Sequence, residues 1–270
     1  MIKRAILVLA AVATLCSQVS PPRRIQVIII TGRDDHDWRG ATPLMRQYLD
    51  AVGIFETRVA EEFRDAGPES LNRYDVAVLV YADKAPEDHW TQRSRDVLLN
   101  FVTSGKGLVV YHHSSTAFKD WPEFARMSGG NYYGSAQHSP IHDFTVTFAD
   151  RDHPITRGLR ATFPQFQDEL YASMQMQPAG SYHVLATAYD DHSLYNGKFK
   201  TPLPGPGANE PVMWTVQYEQ GRVFATMIGH SALATQSSGF RTTFTRGVEW
   251  AATGNVTQKA PADLVEAGPK

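Results

Sequence analysis

From Ile25 the chain opens on a continuous apolar, β-branched run, IQVIIIT to Thr31, the pattern of a strand buried on both faces of a parallel sheet. A polar loop from Gly32 to Gly40 follows. Leu44, Tyr48, Leu49 and Val52 then recur at helical spacing, which predicts a helix over Ala41 to Val52 with Pro43 in its first turn. The unit repeats: a short strand near Thr57 to Val59, a stronger one at Val76 to Tyr81, a helix from Thr91 to Ser104 and a buried strand, GLVVYH, at Gly107 to His112. Strands alternating with helices predict right-handed crossovers and a parallel sheet covered on both faces. Beyond Gly129 the pattern changes. Phe144, Val146 and Phe148 alternate as in an antiparallel strand, turn signals occupy Asp152 to Gly158, and Val212 to Val216 with Arg222 to Met227 read as a hairpin. Phe240, Phe244, Val248 and Ala251 mark a closing helix, after which the polar tail 255–270 is expected to fray. The stretch from Asp190 to Pro211 is rich in proline and glycine and is expected to be a loop bordering the site.

The first twenty residues alter how much of the chain this fold must use. Lys3 and Arg4, the apolar run Ala5 to Leu15, and the small or polar Cys16, Ser17 and Ser20 form the three parts of a secretory signal peptide, so export is expected. The run is shorter than the roughly 18 to 20 residues that cross a bilayer, so no membrane span is expected in the mature chain. Leu15 before Cys16 disfavours lipidation. Residues 21–254 then suit one domain of ordinary size. Cys16 is the only cysteine, so the mature chain has neither a thiolate ligand nor a cysteine nucleophile. A formal charge of −2 with scattered Lys and Arg gives no footprint for nucleic acid, which leaves a polar small molecule as the expected partner.

Parallel sheets bind ligands beyond the carboxyl ends of their strands. Three strands lead there into histidine-bearing loops: Asp34, Asp35, His36, Asp37 and Trp38 after the first; His112, His113, Ser114 and Ser115 after the GLVVYH strand; and Gly229, His230 and Ser231 after the late hairpin. Each histidine alone also reads as a hydrogen-bonded structural residue. His112 and His113 are adjacent, so alternation turns them to opposite faces, and His113 is the one expected to enter the crevice. His138 and His142 add a fourth region, although Gly134 and Pro140 argue against the helix that would align them. Asp168 and Glu169 are expected to point to opposite sides, one into the pocket as a general base, an orienting carboxylate or an acceptor for sugar hydroxyls. Of the aromatics Trp38, Phe118, Trp121, Tyr132 and Tyr133, the expected sugar contacts are Trp38 and Tyr133.

These motifs also carry a resemblance. HDW at His36 to Trp38, GKGLVVYHHSS at Gly105 to Ser115, GGNYYGSAQH at Gly129 to His138, DHPIT at Asp152 to Thr156, DELY at Asp168 to Tyr171, PVMW at Pro211 to Trp214 and GRVFATMIGH at Gly221 to His230 follow an order and spacing similar to the trehalose-utilisation, or ThuA-like, family. The resemblance implies a three-layer αβα sandwich of the flavodoxin-like, class I glutamine amidotransferase type, its mainly parallel sheet carrying an antiparallel addition. It also implies a role in carbohydrate metabolism. Those amidotransferases carry a reactive cysteine where this chain has His113 and Ser114, so their reaction does not carry over. A serine nucleophile at Ser114 or Ser115 would lack its G-x-S-x-G elbow. Two functions remain. The first is an enzyme acting on a glycoside or keto-sugar derivative by hydrolysis, isomerisation or elimination. In it His113, His138 and His230 serve as acid/base groups or as ligands of a divalent metal, zinc being favoured, with Asp168 or Glu169 as carboxylate partner and His36 on the substrate. The second is a sugar-binding or accessory protein without turnover. A nucleotide site is disfavoured by the aspartates of GRDDHD.

Overall fold

Unbroken apolar runs build the centre of the sheet. In the computed structural model, which describes residues 23–195 and 207–266, the first such run forms β1 (Ile25–Ile30). It pairs in parallel with β2 (Phe55–Ala60) on one side and β3 (Val76–Leu79) on the other. β4 (Gly107–Tyr111) pairs in parallel with β3. The signal-peptide region and much of the Asp190 to Pro211 loop lie outside the described residues.

Three helices connect or follow these strands: α1 (Trp38–Val52), α2 (Gln92–Thr103) and α3 (Pro122–Ser128). α1 begins three residues earlier than the apolar spacing predicts, because the Asp37 side chain accepts the Gly40 N–H and caps it. Pro43 consequently falls in the second turn rather than the first. Four two-residue strands, β5 (Gly130–Asn131), β6 (Gln137–His138), β9 (Tyr171–Ala172) and β10 (Gln175–Met176), form two small ladders. The longer β7 (His142–Phe148), β8 (Thr162–Asp168), β11 (His183–Tyr189), β12 (Asn209–Tyr218) and β13 (Gly221–Thr226) complete a nine-stranded sheet of order β2-β1-β3-β4-β13-β12-β11-β7-β8. β13 is parallel to β4, and every later pairing is antiparallel.

Strand alternation divides the core in two. Val27, Ile29, Val78 and Phe224 pack beneath α1 and the closing helix α4 (Ser238–Thr253), while Ile28, Ile30, Leu79 and Val110 pack beneath α2 and α3. This is a three-layer sandwich. The polar tail does not fray over 255–266: Glu249 accepts the Thr257 N–H at 2.7 Å, Arg246 donates to the Gln258 carbonyl at 2.9 Å, and Leu264 is buried. Two buried charges in α4 thus supply the anchors that composition alone conceals. Among the described residues no helix is long and apolar enough to cross a membrane.

Candidate functional site

Because β1, β4 and β13 run parallel, the loops that leave them emerge at one sheet edge. Successive antiparallel pairings from β13 to β8 return β8 to the same direction, so Asp168 and Glu169 also arrive there. The His36 ring stacks on His113 at 3.9 Å and meets His230 at 4.5 Å and His112 at 5.1 Å between centroids.

His112 and His113 both face this cluster, contrary to the alternation argument. β4 ends at Tyr111, and His112 turns into a short 3-10 segment with φ of 39°, so strand geometry no longer separates the two rings. His112 Nδ1–H donates to the Met227 carbonyl at 2.7 Å. A carbonyl only accepts, so in the neutral ring Nε2 carries the lone pair. That nitrogen lies 3.4 Å from Glu169 Oε1, as does His36 Nε2, and His230 Nδ1 lies 3.2 Å from the same oxygen. His112 Nε2 and His230 Nδ1 are buried and make no hydrogen bond. Donor atoms of His36, His112, Glu169 and His230 all fall within 4.8 Å of one another. Two orphaned imidazole nitrogens and a carboxylate directed at one point fit a divalent cation.

The remaining neighbours hold this set in place. Glu169 Oε2 lies 3.1 Å from His138 Nδ1, and His138 is the most exposed of these histidine side chains at 43%. His113 Nδ1 sits 2.6 Å from Asp34 Oδ1, in the manner of a carboxylate that fixes the ring of a neighbouring imidazole. Asp168 is buried completely and is not pocket-facing. Its Oδ1 accepts the Glu169 and His230 N–H groups, and its Oδ2 accepts the Gly229 N–H and the Gln165 side-chain amide. Gly229 has φ of 103°, and a Cβ there would meet the Phe240 and Tyr111 rings at 2.7 and 2.9 Å, so glycine is required beside His230.

Trp38 is buried with the Arg39 guanidinium 4.2 Å over its ring, and it lines the same small cavity as Asp34 and Asp35. Tyr133 donates to the Ala117 carbonyl, whereas Tyr132 approaches His138 and packs on Tyr171, which in turn stacks on His112 at 4.4 Å. Phe118 and Trp121 belong to the core. His142 is tied to the Pro140 carbonyl, and no helix joins it to His138. The Ser114 hydroxyl bridges the Leu79 carbonyl and the Tyr81 N–H, a brace between strands that removes it as a nucleophile.

Burial pushes the Glu169 carboxyl up, but the imidazoles of His112, His138, His230 and His36 gathered around it outweigh burial and hold the group far below the usual carboxylate range. For His36, burial acts downward and is outweighed by Asp34 and Glu169, so the ring is pushed up to about 10. Burial likewise pushes Asp34 up, but hydrogen bonds with His113 and His36 overcome it and hold the carboxyl below its ordinary range. Burial lowers His113 despite Asp34. The signs fix a pH profile for the metal-free protein. Stabilisation through His36 is complete below 6.5 and is lost as pH rises toward about 10; that through Asp34 and Glu169 is present above their ordinary values of 3.8 and 4.5 and is lost in acid. Melting temperatures of chelator-treated protein should therefore peak between about pH 5 and 6.5 and fall toward pH 10. A flat alkaline limb would contradict the His36 environment.

The model of the trehalose-utilisation family, ThuA, matches residues 26–251. The chain belongs to the ThuA family. A ThuA-like protein from Parabacteroides merdae is 29% identical over 90% of this chain and 95% of its own, with a TM-score of 0.77. A second, from Bacteroides uniformis, is 18% identical over 92% and 97%, with a TM-score of 0.69. Agd3, a carbohydrate deacetylase, shares the fold at 15% identity and a TM-score of 0.54, over 86% of this chain and 33% of its own. No curated protein matches the sequence. The ThuA assignment and the three layers together establish the flavodoxin-like, amidotransferase-type architecture that the resemblance implied.

Proposed function

We propose that this ThuA-family chain processes a carbohydrate, a glycoside or keto-sugar derivative, at a divalent metal centre held by His36, His112, Glu169 and His230. The supporting observation is the pair of buried nitrogens, His112 Nε2 and His230 Nδ1, that make no hydrogen bond yet lie 3.4 and 3.2 Å from one Glu169 oxygen. Leaving two such atoms without partners costs about 1–3 kcal/mol each, and a cation removes that penalty. The ligand set differs from the expected His113, His138 and His230. His113 stands behind His36 on Asp34, and His138 contacts only the outer oxygen of Glu169.

The donor set, neutral imidazoles with one carboxylate, suits zinc, and when bound the ion supplies Lewis acidity at a sugar carbonyl or hydroxyl oxygen. His36 must surrender the proton on Nε2 to join the set, so metal uptake releases a proton and strengthens with pH. His138, raised by its hydrogen bond to Glu169 against burial, stands at the open face and moves a proton to or from the substrate. The family's link to trehalose utilisation supports a sugar as the substrate class.

Elemental analysis of protein purified without chelator should find about one zinc or similar divalent ion per chain, by the donor count above. Chelation should lower the melting temperature and zinc restore it. His112→Ala should abolish both responses. Absence of bound metal together with a melting temperature indifferent to chelator and zinc would remove the proposal. Metal binding without turnover of any glycoside or keto-sugar would leave the sugar-binding reading in its place.

A further inference from the structure

β2 is an edge of the nine-stranded sheet, and among the described residues it pairs with β1 alone. The Ile54 and Ala60 carbonyls accept from the Ile25 and Thr31 N–H groups at the two ends of β1, which sets the parity of the strand. The main-chain groups of Glu56 and Arg58 therefore face β1, while those of Phe55, Thr57 and Val59 point away from the sheet. Phe55 and Thr57 are almost wholly withdrawn from water, and the Thr57 hydroxyl is buried without a hydrogen bond. Polar groups so placed are costly to leave unpaired. The far edge of the sheet is closed to a further strand, because Pro164 stands in β8 with its nitrogen turned away from β7 and has no N–H to offer. β2 contains no proline.

The side chains of β2 carry a self-complementary charge pattern. Glu56 and Arg58 lie two residues apart, so they share one face of the sheet, and their side chains are 45% and 56% exposed. Within the chain Glu56 meets a cation only at 3.8 Å, from Arg58 and from Arg73.

A second copy of the strand laid antiparallel alongside has few ways to fit. Outward main-chain groups must meet outward ones, so the two-fold axis falls on a residue and not between two. An axis through Glu56 or through Arg58 sets like charges opposite each other, which destabilises the pair. An axis through Thr57 sets Glu56 opposite Arg58 of the partner subunit, twice by symmetry, where the side chains of an antiparallel pair approach closest. It also brings the two unbonded Thr57 hydroxyls together and joins the outward groups of Phe55 to those of the partner's Val59. Beside this edge a cleft of about 790 Å³ between α1 and the end of β2, lined by Arg46, Gln47, Asp50, Val59 and Glu61, leaves room for the helical layer of the second copy. We infer that the protein is a two-fold dimer joined through β2, its sheet continuing antiparallel across Thr57 into the second copy. Because the two β2 strands run in opposite directions, the histidine-bearing edges face opposite ends of the joined sheet, and zinc affinity should be the same in monomer and dimer.

Sedimentation equilibrium of the purified protein tests this, and should give twice the mass of one chain at micromolar concentration. Arg58→Glu leaves the strand with two acids and Glu56→Arg leaves it with two arginines, so each should weaken dimerisation at least about tenfold. An equimolar mixture of the two variants should recover the dimer, as should the double variant Glu56→Arg, Arg58→Glu, because opposite charges then face each other again. Both side chains are exposed, so folding is not at stake, and circular dichroism with a cooperative melt verifies it. A wild-type protein that remains monomeric at about 100 μM overturns the β2 pairing. So do single reversals that leave the dimer intact, or a mixture that fails to recover it. None of these results touches the metal centre or its carbohydrate reading.

Discussion

Asp168→Ala is expected to lower the free energy of unfolding by about 3–5 kcal/mol, a large share of the 5–15 kcal/mol that holds a typical domain together. Burial pushes this carboxyl above the usual range, opposed by hydrogen bonds from the Gly229 and His230 N–H groups and the Gln165 amide. Alanine would leave those donors and the Glu169 N–H buried with nothing to accept them. Asparagine separates the charge from the geometry. Each carboxylate oxygen accepts two donors, so whichever way the amide turns, its NH₂ faces two N–H groups, and Asp168→Asn should still cost about 2–4 kcal/mol.

The substitution also tests a positioning role. Asp168 Oδ1 binds the backbone of Glu169 and of His230 together, so one oxygen sets the distance between two proposed ligands. Asp168→Asn should therefore weaken zinc affinity about 10- to 100-fold even at temperatures where it remains folded. Urea unfolding and zinc titration read the two effects separately. A variant that loses stability and keeps wild-type zinc affinity would confine Asp168 to a structural part.

The uneven legibility of this site follows from which physical rules act locally. The strands that build its floor were readable because IQVIII, VAVL and GLVVY are apolar on both faces, and a parallel sheet then requires the loops after β1, β4 and β13 to share an edge. That one of Asp168 and Glu169 is enclosed while the other meets the histidines is not a matter of strand alternation, because β8 ends at Asp168 and Gln167 has φ of 46°. His112 was not readable either. Its inward turn depends on a positive φ and on the Met227 carbonyl, 115 residues away, and neither leaves a mark on the sequence near it. Tyr133 rather than Tyr132 is the expected sugar contact, but the Ala117 carbonyl accepts from the Tyr133 hydroxyl while Tyr132 packs on Tyr171, a difference that only tertiary packing decides. The tail was misjudged because Glu249 and Arg246 look like solvent-facing positions of a helix, yet both are buried against 255–258.

Glu169→Gln should have the largest effect on chemistry. Among the described residues the wild-type carboxylate is the one anion that touches all four of His36, His112, His138 and His230, through contacts of 3.1 to 3.4 Å. Glutamine keeps the volume and removes the charge. A neutral amide is a poor zinc ligand beside three imidazoles, so zinc affinity should fall by at least about 100-fold and turnover with it. The imidazoles should respond in a direction that a purely steric lesion would not produce. His36 and His138 are raised in part by hydrogen bonds to Glu169, so both should titrate at lower pH in metal-free Glu169→Gln, as proton NMR of the ring resonances would show. His113, lowered first by burial and facing Asp34 rather than Glu169, should move much less. If Glu169→Gln bound zinc within about threefold of wild type while the ring resonances of His36 and His138 stayed where they were, the carboxylate would not be the hub of this cluster, and the cation would have to be sought beside Asp34, Asp35, His36 and His113, the second group of converging donors.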